Sequence, residues 1–146
     1  AQKIHELETQ LQLMAEDEKA YENDPKRLND AKDLQQIYEK FELEKQFLAD
    51  YTSTNQTVRV YIQKMLTRLY AADDPTQIDA THNSKINSLG FPIYHMETAD
   101  GYRLYYAYSK TSAKPIHILC HCIKSKEAVY FNKMKNSETF KKKFRN

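Results

Sequence analysis

GYRLYYAYSKTSAKPIHILCHCIKSKEAVY, residues 101–130, is the segment from which the fold of this chain can be inferred. Its opening run GYRLYYAY is rich in β-forming side chains, and the later run PIHILCHCI is apolar and contains branched residues. The polar stretch between the two runs has the length of a hairpin connection. The pattern predicts two antiparallel strands joined by a turn and followed by a basic segment.

Charged and phenolic side chains flank this predicted hairpin. Arg103 lies at its start, and Lys124, Lys126 and Tyr130 follow its second strand. Because a hairpin returns the chain to where it began, these side chains should lie at one end of the sheet. Cations and a phenol grouped in this way favour a phosphodiester as the substrate.

The chain before the hairpin is predominantly helical in its periodicity. Apolar side chains recur at spacings of three and four residues at Ile4, Leu7, Leu11 and Met14. This spacing predicts an amphipathic helix over residues 1–22, either in a coiled coil or in a helical hairpin. The sequence Asn23-Asp24-Pro25 breaks this helix and predicts the start of a second one, which should extend to about residue 50.

The polar stretch at residues 52–55 ends this region. A third helix is predicted for residues 56–71, because apolar side chains recur there at helical spacing. Residues 76–87 have no clear period and are predicted to form a loop, whereas residues 91–98 are predicted to form a strand. Helices followed by three consecutive antiparallel strands predict an α+β fold.

The 146-residue chain has a net charge of +2, but its two parts differ in charge. Residues 1–50 contain 13 acidic and 7 basic residues, whereas residues 51–146 contain 7 acidic and 15 basic ones. We therefore predict an acidic helical extension over residues 1–54 and a second domain over residues 55–146. The basic second part favours a polyanionic partner.

The composition disfavours several classes of protein and site. No apolar run approaches the roughly 20 residues that span a bilayer, and the N-terminus lacks a signal-peptide pattern. Cys120 and Cys122 lie two apart in a predicted strand and cannot easily pair there, which favours reduced thiols and a cytoplasmic location. Strand alternation would place His117 and His121 on the opposite face, which argues against a zinc site.

From about Lys85 onward the sequence resembles the RelE/ParE superfamily of bacterial toxin–antitoxin toxins. The matching pieces, in order, are Lys85-Ile86, GYRLYY, IHILCHC and IKSKEAVYF. With the preceding helix, the resemblance covers roughly residues 55–135. It implies a RelE-like domain, a helix plus a twisted antiparallel sheet, behind the N-terminal helical hairpin or coiled coil. It also implies a cognate antitoxin protein as a partner.

The superfamily divides by function. RelE-like members cleave mRNA, commonly on the ribosome, whereas ParE-like members bind DNA gyrase and cleave nothing. Resemblance to the RNase branch implies that Arg103 contacts the scissile phosphate. It also implies that Lys124 or Lys126 stabilises the transition state and that Tyr130 serves in proton transfer. No metal or cofactor is expected, because this reaction needs only a base, cations and an acid around the 2′-hydroxyl and the phosphate.

The strand at residues 91–98 departs from the RelE pattern. RelE has two lysines in this strand, and their positions fall on Tyr94 and Met96. His95 and Glu97 lie next to them, and a shift of one residue in register would turn these two side chains toward the site instead. The general base is therefore left open between Glu97 and His95.

Other side chains are expected to bind RNA, namely Lys85, Tyr94, Tyr105, Lys133 and Lys135. The catalytic candidates also have structural alternatives. Arg103 could form a surface salt bridge, the lysines after the second strand could be a solvated edge, and Tyr130 could be packed in the core. His121 lies in the middle of an apolar strand, which is typical of a core histidine.

The acidic extension allows three roles. It could dimerise through residues 1–50, cover the basic sheet as an antitoxin does, or stabilise a small core as a helical hairpin. Three functional hypotheses follow for the whole chain. They are an endoribonuclease acting on mRNA at the ribosome, a non-catalytic inhibitor of DNA gyrase, and a helical interaction module whose basic domain binds RNA.

Overall fold

The structure, a computed structural model, describes residues 2–74, 81–82, 89–98, 101–109 and 112–144. Its helices are α1 (Gln2–Glu22), α2 (Pro25–Ile37), α3 (Lys45–Ser53), α4 (Gln56–Tyr70), α5 (Glu127–Lys135) and α6 (Glu138–Lys142). Its strands are β1 (Phe41–Leu43), β2 (Thr81–His82), β3 (Tyr94–Glu97), β4 (Tyr102–Tyr108) and β5 (Ile116–Ile123), with a 3₁₀ turn at Lys124–Lys126. The predicted α+β class is confirmed. None of the helices in these ranges is long and apolar enough to cross a membrane.

The strands form one sheet with the order β1-β5-β4-β3-β2. β4 and β5 pair as the predicted antiparallel hairpin, from Tyr102 opposite Ile123 to Tyr108 opposite Ile116. β3 and β2 continue the antiparallel pattern. β1 adds a parallel edge, with Phe41 also opposite Ile116, so the prediction of a wholly antiparallel sheet is wrong at this edge.

The single helix predicted from residue 25 to about residue 50 is also wrong, because the chain forms a helix, a strand and a second helix there. α2 is capped at its end by Tyr38, whose backbone is no longer helical, and the Gln35 amide donates a hydrogen bond to the Phe41 carbonyl. Phe41 and Leu43 are both buried, two residues apart, which is the period of a strand. The sequence pattern around β1 did not distinguish a strand from a helix, because Tyr38 and Phe41 are also three residues apart, as on one face of a helix.

Two hydrophobic clusters cover the two faces of the sheet. The first joins α2, α3 and α4 to one face through Leu34, Phe47, Ile62, Leu66, Met96 and Leu104. The second joins the C-terminal helices to the other face through Phe91, Tyr105, Leu119, Cys120, Met134 and Phe144. Because Phe47 and Ile62 belong to one cluster, residues on both sides of the predicted boundary at 54 share a core. The division into two domains stays a prediction.

α1 lies against α2, α3 and α5. The turn from α1 into α2 is fixed by Asp24, whose carboxylate accepts hydrogen bonds from N–H groups of the first turn of α2. Just before the turn, Tyr21 of α1 packs with Ala31 and Ala49 in a small separate cluster. The predicted break between the first two helices is therefore confirmed. Dimerisation through residues 1–50 stays a prediction.

A bulge in β5 changes the face on which His117 lies. The pairing of β4 with β5 shifts after Tyr105, which makes Leu119 an extra residue in β5. His117 consequently lies on the face of Cys120, contrary to the predicted alternation, and its ring packs against Phe144 with centroids 5.0 Å apart. In the part of the chain that the structure describes, no three His, Cys, Asp or Glu side chains are placed to hold a metal ion.

Candidate functional site

The register between β3 and β4 determines which side chains accompany Arg103. Glu97 lies opposite Arg103, and His95 lies opposite Tyr105. Because side chains at paired positions share a face, all four lie on the side of the sheet that α5 covers. The register that the sequence left open is thereby determined. His95 and Glu97, and not the residues at the lysine positions of RelE, accompany the arginine.

The opposite face of β3 carries Tyr94 and Met96. Met96 is buried in the first hydrophobic cluster, and Tyr94 stacks on Tyr106 with ring centroids 5.8 Å apart. Tyr94 was expected to bind RNA together with the side chains around Arg103. The sheet separates it from them.

Arg103 is held between two carboxylates. Its guanidinium lies 3.6 Å from a carboxylate oxygen of Glu97 and 3.7 Å from one of Glu127. The Glu97 side chain is 73% exposed, so its ion pair is weak and exchangeable. Glu127 is buried in the first turn of α5 and also accepts a hydrogen bond from the Tyr105 hydroxyl. The guanidinium therefore has one fixed anchor and one replaceable partner.

His95 lies half-buried beside this arginine. Its ring centroid is 5.9 Å from that of Tyr105, and its Nδ1 has no hydrogen-bond partner among the described residues. Burial, and then the positive charge of Arg103, lower the pKa of His95 below its ordinary value. The imidazole is consequently neutral near pH 7 and able to accept a proton.

Of the two lysines after β5, one belongs to this group. Both lie in the 3₁₀ turn that follows β5. The Lys124 N–H donates a 3.2 Å hydrogen bond to the Gly101 carbonyl, which ties it to the start of β4. The charge of Lys124 also acts on His95. Lys126 instead lines a separate cleft with Asp50.

Tyr130 is directed away from the Arg103 group. Its hydroxyl donates a 2.9 Å hydrogen bond to Asp50, which is buried in α3. Burial, together with the Asp50 charge, raises the pKa of Tyr130 well above its ordinary value. The predicted alternative of a packed tyrosine therefore describes Tyr130 better than the predicted proton donor does.

Asp50 was not predicted, and it connects three elements. One carboxylate oxygen accepts from Tyr130 and, at 2.9 Å, from Gln46, and the other accepts from the backbone N–H of His121 at 3.0 Å. β1 pairs with β5 only as far as Ile118. Farther along β5, the Asp50 carboxylate accepts the hydrogen bond from a backbone N–H that a neighbouring strand would otherwise accept. Burial raises the pKa of Asp50 to about 7.

The remaining predicted RNA-binding residues are dispersed. Tyr105 is fully buried, which leaves no ring surface exposed for stacking on a base. Lys133 forms an ion pair with Glu18 of α1, whereas Lys135 is exposed on α5. Lys85 lies outside the described residues. Of the described positions, Tyr105 is thus buried and Lys133 is paired with α1.

His121 conforms to the predicted core histidine. It is 3% exposed, and its ring stacks on Tyr102 with centroids 5.1 Å apart and planes inclined by 6°. Its Nε2 lies 3.0 Å from the Thr98 hydroxyl. Burial lowers the pKa of His121 to about 4, so the ring is neutral near pH 7.

The functional groups around Arg103 are thus the neutral imidazole of His95, the guanidinium of Arg103 itself and the ammonium group of Lys124. Glu127 is the residue of this site that the sequence reasoning missed. The sequence places Glu127 directly after the two lysines, but it does not show that the start of α5 packs against β4. That packing brings the Glu127 carboxylate to Arg103. Comparison of the chain with models of known families, with curated proteins and with solved structures finds no match.

Proposed function

We propose that this protein is an endoribonuclease of the RelE type that cleaves mRNA on the ribosome without a metal. The proposal depends on one observation, the β3–β4 register that groups His95 and Glu97 with Arg103. It is further supported by the resemblance of residues 55–135 to that superfamily and by the basic charge of the second part of the chain. A cognate antitoxin is part of the same proposal.

In the proposed reaction His95 acts as the general base. The neutral imidazole takes the proton of the 2′-hydroxyl, and the 2′-oxygen attacks phosphorus while the bond to the 5′-oxygen breaks. The products are a 2′,3′-cyclic phosphate and a 5′-hydroxyl, whose proton comes from water. Tyr130 is not used as the acid, because its hydroxyl is bonded to Asp50.

Arg103 and Lys124 bind the phosphate and its developing charge. The guanidinium can bind two phosphate oxygens at once, and Lys124 adds a second positive charge from the 3₁₀ turn. When the phosphate binds, it replaces the exposed Glu97 carboxylate as a partner of the Arg103 guanidinium. An exposed ion pair is worth about 0–1 kcal/mol, so this exchange costs little. Glu127 keeps the other side of the guanidinium in place.

Cleavage during translation tests the proposal. The full chain is added to ribosomes translating a defined mRNA, and the cleaved ends are mapped by primer extension. We expect cleavage by the unmodified chain and its loss in Arg103→Ala and His95→Gln. The exposed Lys142→Ala serves as the matched control and should cleave normally. Absence of cleavage by the unmodified chain would refute the proposed function.

A second candidate function has a specific observation in its favour. Arg103 is already neutralised by two carboxylates, and β3 has no lysine. Both features fit a non-catalytic, ParE-like inhibitor of DNA gyrase. Inhibition of gyrase supercoiling by the full chain, without mRNA cleavage, would support this candidate. Retention of RNA without turnover, weakening with salt, would instead favour an RNA-binding module.

A further inference from the structure

α1 contributes little to the buried cores of the chain. Of its residues 3–22, Tyr21 alone is buried, at the end that leads into α2. Ile4, near the other end, is 62% exposed. α1 has six acidic and two basic residues, which gives it a net charge of −4. Full apolar burial therefore holds only one end of this helix.

The carboxylate of Glu18 meets cations from two other helices. It forms an ion pair with Lys133 of α5 and lies 3.9 Å from Nζ of Lys45 of α3. Lys45 also pairs with Glu22, the last residue of α1. The Lys45 side chain is 51% exposed and the Lys133 side chain 35%, and ion pairs that water reaches contribute little and are screened by salt. These contacts are therefore open to exchange with another anion.

A groove of about 140 Å³ lies between the middle of α1 and the start of α5. Leu13 and Met14 line one wall, and Lys126 and Val129 line the other. Leu13 is 53% exposed. The two helices are therefore not closely packed at this point, and Lys126 borders the space beside α1.

We propose that α1 is a displaceable acidic strap over a surface of α5 that binds an RNA strand. This surface contains Lys126 and Lys133, which are seven residues apart, or about two helical turns, and both lie beside α1. Lys126 belongs to the same 3₁₀ turn as Lys124, so the surface adjoins the Arg103 group. The inference rests on the proposed function for the identity of the polyanion, but the binding it describes requires no cleavage.

The phosphates of RNA and the carboxylates of α1 compete for the same ammonium groups. A phosphate that reaches Lys133 is repelled by Glu18 and by the other carboxylates of α1. RNA binding and release of α1 are therefore coupled, and by reciprocity the bound strap lowers the apparent affinity for RNA. α1 joins α2 at the turn of residues 23–24. The Asp24 carboxylate that caps α2 bonds to α2 itself, so α2 can stay folded when α1 moves.

Hydrogen exchange of the full chain tests the coupling. A short 2′-O-methyl RNA, which 2′-hydroxyl attack cannot cleave, is added to saturation at constant ionic strength. We expect the backbone amides of residues 6–20 to exchange faster by about tenfold or more, because a detached helix of this length is only marginally stable in water. The amides of α3 should not exchange faster. Unchanged or slower exchange of α1, or no binding of this RNA, would overturn the proposal.

Glu18→Gln tests the contact that holds the strap. The variant keeps the shape of the side chain but removes the charge that pairs with Lys133, so we expect the same RNA to bind about two- to fivefold more tightly. Glu16→Gln is the matched control, because it changes the net charge equally and the exposed Glu16 accepts its hydrogen bond from Gln12 within α1. Fluorescence anisotropy measures both affinities. Equal affinities of the two variants would overturn the proposal.

Two combinations of results separate this inference from the proposed function. If RNA releases α1 but no mRNA is cleaved during translation, the proposed function fails and the strap stands. If mRNA is cleaved while the exchange of α1 stays unchanged on RNA binding, the strap fails and the proposed function stands.

Discussion

The carboxylate of Asp50 accepts a 3.0 Å hydrogen bond from the backbone N–H of His121, 71 residues away. The same carboxylate accepts the Tyr130 hydroxyl. Through this one side chain, α3 is fixed to the edge of β5 and to α5. Because the region before residue 54 is tied to the sheet in this way, α3 contributes to the fold around the candidate site.

Removing the Asp50 carboxylate should therefore destabilise the chain. Asp50→Ala leaves the His121 N–H and the Tyr130 hydroxyl without their acceptor, and we expect a loss of about 2–4 kcal/mol in the free energy of unfolding. Urea denaturation measures this quantity. The exposed Asp33→Ala on α2 is the matched control and should change it by no more than about 0.5 kcal/mol. Equal stability of the two variants would contradict the role assigned to Asp50.

The raised pKa of Asp50 predicts a pH dependence with a definite sign. The folded-state pKa is about 7, above the ordinary value of 3.8, so between these values Asp50 holds more of its proton in the folded chain than in the unfolded chain. The contribution of Asp50 to the free energy of unfolding should therefore fall as pH rises through this interval. His121, with its pKa lowered to about 4, acts in the opposite direction.

Comparison with Asp50→Asn separates the two contributions, because His121 is present in both chains. The difference in unfolding free energy between the unmodified chain and Asp50→Asn should shrink as pH rises from about 4 to about 7. Urea denaturation at several pH values gives this difference. Parallel curves would show that Asp50 does not titrate in the folded chain as described.

Truncation tests the predicted boundary at residue 54. Residues 55–146 alone lack β1 and α3, and with them Phe41, Leu43 and Phe47 of the first cluster. We expect this fragment to lose cooperative thermal unfolding, because each buried side chain of this size contributes roughly 1.5–3 kcal/mol. A fragment of residues 23–146 is the control. It should unfold cooperatively, because Tyr21 is the one buried hydrophobic residue in the described part of α1 that this fragment lacks. Cooperative unfolding of the shorter fragment would instead support two domains.

Glu127→Gln tests how Arg103 is positioned. The variant keeps the shape of the side chain but removes the charge that anchors the guanidinium. We expect single-turnover mRNA cleavage to slow by about ten- to a hundredfold, because small misplacements of a catalytic group are costly. Binding of a 2′-O-methyl RNA should not weaken, since the site becomes more positive. Glu39→Gln, which is exposed beyond the end of α2, is the control. Unchanged cleavage by Glu127→Gln would contradict the anchoring role.

The part of the fold that local patterns dictate was predictable. The hairpin of β4 and β5 follows from two β-rich runs around a polar turn, and the structure confirms it. The helix α4 follows from its apolar spacing, and the structure confirms it. β1 was missed because three residues with one intervening polar side chain carry too weak a period to be separated from the helices on either side.

The site was predictable as a set of residue types but not as a geometry. Arg103, Lys124 and Lys126 were identified from the hairpin without a choice between the two lysines, whereas the choice of His95 over Tyr94 required the register of β3. The bulge at Leu119 moved His117 to the other face, and no local signal in the apolar run marks it. Asp50 and Glu127 act through contacts 71 and 22 residues away in sequence, which a local pattern does not reveal.

In the proposed function, the side chains around Arg103 cleave RNA by making the 2′-hydroxyl of the RNA attack the adjacent phosphate. The most direct test is the chemistry of the ends left on mRNA after translation with the full chain. We predict a 2′,3′-cyclic phosphate and a 5′-hydroxyl, and no cut where the nucleotide before the scissile phosphate is 2′-deoxy. Cleavage at the 2′-deoxy position, 5′-phosphate ends, or intact mRNA in the presence of the unmodified chain would contradict the claim.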